Sequence, residues 1–87
     1  DEFFIILPET NLDGAINVAN KVVDAVSNTV IEIRDEKGRS FEKSISVSAG
    51  AVSYIPKDTF ETIYKRADLA LYDAKGAGRN CVAGRKK

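Results

Sequence analysis

Two short stretches hold most of the side chains in this chain that could do chemistry. Asp1-Glu2 places adjacent carboxylates at the head of an apolar run. Hard oxygen donors at a strand edge suit Mg²⁺, which is commonly held by one or two carboxylates together with the phosphates of a substrate. Lys75-Gly76-Ala77-Gly78-Arg79-Asn80 sets two cations around two glycines. Such a stretch can cradle phosphate oxygens between charged side chains and open loop amides. Each stretch also has a plainer account. Acids suit the polar end of any strand, and a lysine before glycines suits a helix C-terminus with cations on its dipole. On spacing alone the plainer account is the stronger for both.

Other chemistries drop out. The 87 residues contain no His and a single Cys, Cys81, so nucleophilic triads, Cys/His zinc sites and a disulfide framework are excluded. A lone cysteine fits a reducing compartment. The formal net charge of zero gives no electrostatic case for nucleic acid or an acidic membrane surface. With 44% hydrophobic and 30% charged residues the chain reads as one small folded domain. Its apolar runs are all too short to span a bilayer. The absence of Met, with Asp1 leading straight into a strand, suggests part of a longer polypeptide.

The elements that must position these residues follow from periodicity. Phe3 to Leu7 is a continuous apolar run closed by Pro8, which predicts a strand buried on both faces. Thr10 and Asp13 form a capping-box-like start for a helix from about Leu12 to Ser27, with Leu12, Ala15, Ile16, Ala19, Val22, Val23 and Val26 on one face. Thr29 to Arg34 and the run from Phe41 to Val52 predict a hairpin centred near Lys37, with Gly38 suited to positive φ. Within the return run Ile45, Val47, Ala49 and Ala51 share one face. Ser44, Ser46, Ser48 and Gly50 share the other, a small-residue face suited to close packing or to a ligand. Asp58 with Glu61 predicts the cap of a second helix, from about Thr59 to Gly76. Cys81-Val82-Ala83 closes as a short strand. Residues 1–83 then form the domain and 84–87 a basic tail. The expected class is α+β, with helices on one face of a mainly antiparallel sheet.

The motifs resemble the GGDEF family of diguanylate cyclase domains, over essentially the whole chain. Asp1-Glu2-Phe3 with its apolar strand and Leu7-Pro8 is similar to the end of the signature motif. Thr10-Asn11-Leu12-Asp13-Gly14-Ala15 is similar to the helix start that follows it in the family. Ser46-Val47-Ser48-Ala49-Gly50-Ala51 resembles the family's Ser-Ile-Gly-Val-Ala strand, with small alanines in place of larger apolar residues. Arg66-Ala67-Asp68-Leu69-Ala70-Leu71-Tyr72-Asp73-Ala74-Lys75 and Gly78-Arg79-Asn80 match the closing signature, the most specific block.

The resemblance implies the C-terminal half of a nucleotide-cyclase-like, ferredoxin-like sheet with helices packed on it. It implies condensation of two GTP into cyclic di-GMP with loss of two pyrophosphates, across a homodimer of two such domains, with Mg²⁺ or Mn²⁺. Asp1 then stands at the motif's third position, as metal ligand and general base. Glu2 stands at the fourth, beside the reacting centre. Lys75 and Arg79 match the basic pair that holds the terminal phosphates. Arg66 and Asp68 are expected to pair structurally. The resemblance also implies a cytoplasmic, bacterial signalling domain, in a family whose members can be membrane-tethered through other segments. The motif's glycines, the first metal ligand, the guanine-reading residues and the inhibitory product site all fall before Asp1 in that alignment. These 87 residues alone are therefore expected to make no product, and to associate through unpaired strand edges. The alternative is a degenerate domain of the same family that binds nucleotide and regulates a partner.

Overall fold

The computed structural model describes residues 2–86. Its elements are α1 (Leu12–Ser27), β1 (Val30–Arg34), β2 (Ser40–Ser44), β3 (Ala49–Val52), α2 (Phe60–Gly76) and β4 (Val82–Arg85). Helix α1 has the expected bounds, and Val23 is the buried member of its apolar stripe. Its cap is Asn11 rather than Thr10. The Asn11 side chain accepts from the Gly14 amide at 2.8 Å, while the Thr10 hydroxyl donates to the Pro8 carbonyl. With its hydroxyl engaged in the preceding turn, Thr10 leaves the cap to its neighbour.

Strands β1 and β2 form the expected antiparallel hairpin, with Ile33 opposite Phe41 and Ile31 opposite Lys43. Asp35 organises the turn: its carboxylate accepts from the amides of Lys37 and Arg39, both at 2.9 Å, and from Arg39 Nε at 2.8 Å. Those amides, the Arg39 amide foremost, hold its carboxyl below the usual carboxylate range. Gly38 takes the expected positive φ of 80°. The hairpin packs mainly on itself. The radius of gyration is 15.7 Å, against about 12 Å for a compact chain of this length.

The layer around the second sheet differs from expectation in four ways. First, β3 pairs with β4, and the pairing is parallel, Gly50 opposite Ala83 and Ala51 opposite Gly84. The connection is the crossover helix α2, which is what parallel neighbours require. The sheets are therefore mixed, one antiparallel and one parallel pair among the described residues. Second, the helices flank the parallel pair on opposite faces. A Cβ on Gly50 would meet the α2 backbone, and one on Gly84 would meet Ile16 and Leu12 of α1. Gly50 and Gly84 stand one register position apart, so they point to opposite sides. Third, Gly84 and Arg85, expected in a tail, are part of β4.

Fourth, Phe3 to Leu7 is not a strand. A strand persists by pairing, and no described strand lies beside this run to complete a ladder. It lies instead against α2, where the Phe4 ring sits 5.4 Å from that of Phe60 and 5.7 Å from that of Tyr64. Phe3, Ile5 and Ile6 stay exposed. The long return run is likewise interrupted, with 45–48 outside any ladder, though no helix forms across it. The core is made of small side chains: Ala51, Ala70 and Ala74 are buried with Val23.

Candidate functional site

Helix α2 carries Lys75 and leads into the loop of Arg79, and three attachments set its position over β3. At its start, Thr59 caps the helix in a reciprocal box with Thr62, displacing the expected Asp58–Glu61 box. Asp58 turns to Arg66 instead. The guanidinium donates to both carboxylate oxygens, at 3.1 and 2.7 Å, and to the Ser53 carbonyl at 2.7 Å. Arg66 is thus buried with Asp58, and not paired with Asp68 as expected from the sequence. Asp68 lies exposed on the helix, whereas Asp58 reaches Arg66 from the loop below it. The guanidinium, then the Ile55 amide and the Thr62 hydroxyl, holds the Asp58 carboxyl well below the usual range. Asp58 in turn raises the Arg66 pKa.

The middle attachment is a close crossing. An ideal Cβ at Gly50 would lie 2.2 Å from the Leu71 amide nitrogen and 2.7 Å from the Ala67 carbonyl oxygen. Only a residue without a side chain lets β3 and α2 approach this far. The small-residue face of the return run packs closely at Gly50, while Ser44 and Ser46 are exposed. On the β4 side, Asp73 accepts from Arg85 Nε at 2.6 Å and from Arg85 Nη2 at 3.0 Å. That guanidinium lowers the Asp73 pKa.

The third attachment lies at the helix C-terminus, beside the candidate cations. Ala77 caps α2: its amide donates to the Asp73 carbonyl at 2.9 Å, and the Gly78 amide donates to the Lys75 carbonyl at 3.3 Å. Gly78, Arg79 and Asn80 then adopt successive positive φ values of 115°, 64° and 49°. For Arg79 this costs about 1 to 2 kcal/mol, while Asn tolerates the region better, so the loop needs outside support at Arg79. The Arg79 amide bonds the Ala74 carbonyl at 3.1 Å. The Asn80 amide donates to Ser48 Oγ at 3.1 Å, and the Ala49 amide to the Cys81 carbonyl at 3.0 Å.

Of the residues expected to act, the structure brings Glu2 and Lys75 together: Lys75 Nζ stands 3.7 Å from Glu2 Oε2, both partly exposed. Arg79 lies four residues on, exposed on the left-handed loop. Asp1 lies outside the described residues. An acid facing a lysine at the edge of an open loop is suited to exchange partners when an anion and its counter-cation arrive. Among the described residues no group of three or more His, Cys, Asp or Glu could enclose a metal. A cation shared between one or two carboxylates and substrate phosphates remains compatible with this donor set. A surface depression of about 310 Å³ lies elsewhere, lined by Asn11, Leu12, Asp13, Ser53 and Lys86. Sequence reasoning gave no role to Ser48 beyond its motif; a serine directly before the Gly50 strand was the available signal.

Comparison with known proteins bears on this arrangement. The family profile described as diguanylate cyclase, GGDEF domain, matches residues 1–81. The chain is 35% identical to response regulator PleD of Caulobacter vibrioides, over 98% of the chain and 18% of that protein. It is 31% identical to diguanylate cyclase DgcP of Pseudomonas aeruginosa, over 92% of the chain and 11% of the relative. It is 34% identical to diguanylate cyclase VdcA of Vibrio cholerae, over 94% of the chain and 24% of the relative. The chain thus spans less than a quarter of the length of these relatives. No solved structure gives a significant match. No helix among the described residues is long and apolar enough to cross a membrane.

Proposed function

This chain belongs to the GGDEF, diguanylate cyclase family, and from that premise we propose that it forms part of a catalytic domain condensing two GTP into cyclic di-GMP. Two such domains face each other, each presenting one nucleotide. The 3′-hydroxyl of one GTP attacks the α-phosphorus of the other, a new P–O bond forms, and the bond to the leaving pyrophosphate breaks. The same exchange in the opposite sense closes the ring. The observation that carries this reading is the meeting of Glu2 and Lys75 at the end of α2, beside the loop that presents Arg79.

Each residue has a distinct task. Lys75 and Arg79 hold the β- and γ-phosphates, and the positive loop holds charge as the pyrophosphate departs. Asp1 takes the proton of the attacking hydroxyl. Glu2, freed from Lys75 when phosphate arrives, adds a second carboxylate beside Asp1. Mg²⁺ or Mn²⁺, held by Asp1 with Glu2 next to it, would polarise the phosphoryl group and neutralise the leaving group. Arg66, Asp58 and Gly50 take no part in the chemistry and fix the helix that carries Lys75.

The test is titration of the intact protein with GTP and Mg²⁺, together with a product assay. Asp1→Asn should abolish product formation without unfolding the domain. Lys75→Ala and Arg79→Ala should each weaken GTP binding by about 1.5 to 3 kcal/mol, the range for charge-assisted contacts. Unchanged affinity in both would return these residues to a helix-capping role. GTP binding without product from the intact protein would mark a regulatory, non-catalytic member.

A further inference from the structure

Arg79 projects from a backbone that does not hold its shape by itself. Gly78, Arg79 and Asn80 are three successive residues at positive φ, and Arg79 carries a side chain that disfavours it. From the helix side the loop receives bonds from the Gly78 amide to Lys75 at 3.3 Å and from the Arg79 amide to Ala74 at 3.1 Å. Both partners belong to the helix that the loop is leaving. The bond that joins residues 79–80 to another element is the one from the Asn80 amide to Ser48 Oγ, at 3.1 Å. Ser48 is half-buried and stands immediately before β3, the strand that the Gly50 crossing locks to α2.

Resting on the phosphate-binding reading above, we propose that Ser48 is the positioning residue for Arg79. Its hydroxyl oxygen accepts the Asn80 amide and so sets the direction in which the Arg79 guanidinium leaves the loop. Ser48 touches neither metal nor reacting atoms in this account. Its contribution is to spare Arg79 the entropy of ordering a strained loop at the moment an anion binds. Ser46, two residues earlier and exposed, has no such bond and serves as the control.

The experiment measures inorganic pyrophosphate binding to the intact protein by calorimetry. Its variants are Ser48→Thr, Ser48→Val, Ser46→Ala, Arg79→Ala and the double variant Ser48→Val with Arg79→Ala. Thr and Val share a shape and differ in the hydroxyl, so a difference between them reports the acceptor and not packing. Ser48→Val should bind pyrophosphate about fivefold more weakly, as loss of one neutral hydrogen bond implies. Ser48→Thr and Ser46→Ala should bind as the parent does. In the Arg79→Ala background, Ser48→Val should change nothing further. Equal affinities for Thr and Val would overturn the proposal, and so would a Ser48→Val loss that persists without Arg79. If Arg79→Ala weakens binding while Ser48→Val does not, this inference fails and the phosphate reading stands. If Arg79→Ala changes nothing, both fail together.

Discussion

Replacing Gly50 by alanine places one methyl group where α2 already stands. The added Cβ would lie 2.2 Å from the Leu71 amide nitrogen, and 2.7 Å from both the Ala67 carbonyl oxygen and the Ala70 carbonyl carbon. All three are backbone atoms of a helix held at Arg66 and at Asn80, so no side-chain rotation relieves the overlap. Restoring an ordinary contact of 3.4 Å to Leu71 requires α2 to retreat by 1.2 Å. Retreat on that scale forfeits a quarter to a half of each van der Waals well across the interface, where Ala70 and Ala74 are completely buried. Overpacking typically costs about 1 to 3 kcal/mol; a rigid backbone obstacle puts Gly50→Ala at about 3 kcal/mol or above. For a domain of this size that is a fall in melting temperature of roughly 12 °C or more. Two other glycines calibrate the series. Gly84→Ala meets the flexible end of Ile16 at 2.8 Å and should cost about 1 kcal/mol or less. Gly76→Ala meets nothing within 4 Å at the end of a helix and should stabilise by about 0.4 to 1 kcal/mol. Urea unfolding of the three variants, read by circular dichroism, gives the order. A Gly50→Ala protein within about 0.5 kcal/mol of the parent, the range of inert surface changes, would refute the crossing described here.

Three further outcomes follow from the local geometry. Asp58 has a folded pKa below its unfolded value, so its stabilisation is complete above about pH 4 and fades as pH falls through the folded value. Asp58→Asn should therefore flatten the acid limb of the stability–pH curve below pH ~4, leaving the contributions of Asp35 and Asp73, which are lowered in the same direction. An unchanged slope would contradict the pairing with Arg66. Asn11→Ala should cost about 1 kcal/mol as a lost helix cap, whereas Thr10→Ala should cost far less; chemical denaturation distinguishes the two, and the reverse ranking would restore Thr10 as the cap. Asp35→Ala should speed amide exchange at Lys37 and Arg39, whose N–H groups it accepts, without altering exchange in α2.

The sequence was most informative where one local rule acts alone. Helix α1 followed from a single apolar stripe, and the turn around Gly38 from one glycine among charged residues. It was least informative where two segments compete for a bond. Thr10 and Asn11 are both good caps, and which one serves depends on the Pro8 carbonyl; Asp58 and Thr59 divide in the same way, once Arg66 claims the carboxylate. The pairing of Arg66 with Asp58 was hidden because helical spacing brings Asp68 to mind and says nothing of a loop eight residues earlier. Apolar content at Phe3 to Leu7 signalled burial, but whether a run becomes a strand is decided by a neighbour that periodicity cannot supply. For the site, the types and spacing of Lys75 and Arg79 were legible. The meeting of Lys75 with Glu2, and the support of residue 80 by residue 48, are long-range contacts with no local trace.

The hairpin of β1 and β2 touches little besides itself, and this separates its thermodynamics from that of the rest. It can open and close as its own cooperative unit, at a free energy below that of global unfolding. Two-stranded ribbons standing alone are at best marginal, so the exchange-labelling pattern of the native protein should show this ribbon deuterating first while α2 and β3 stay protected. The same independence makes its tip, at Glu36 to Gly38, a place to splice in an epitope or a fluorophore-binding tag. Such a graft would report on the protein without moving the helix that carries Lys75.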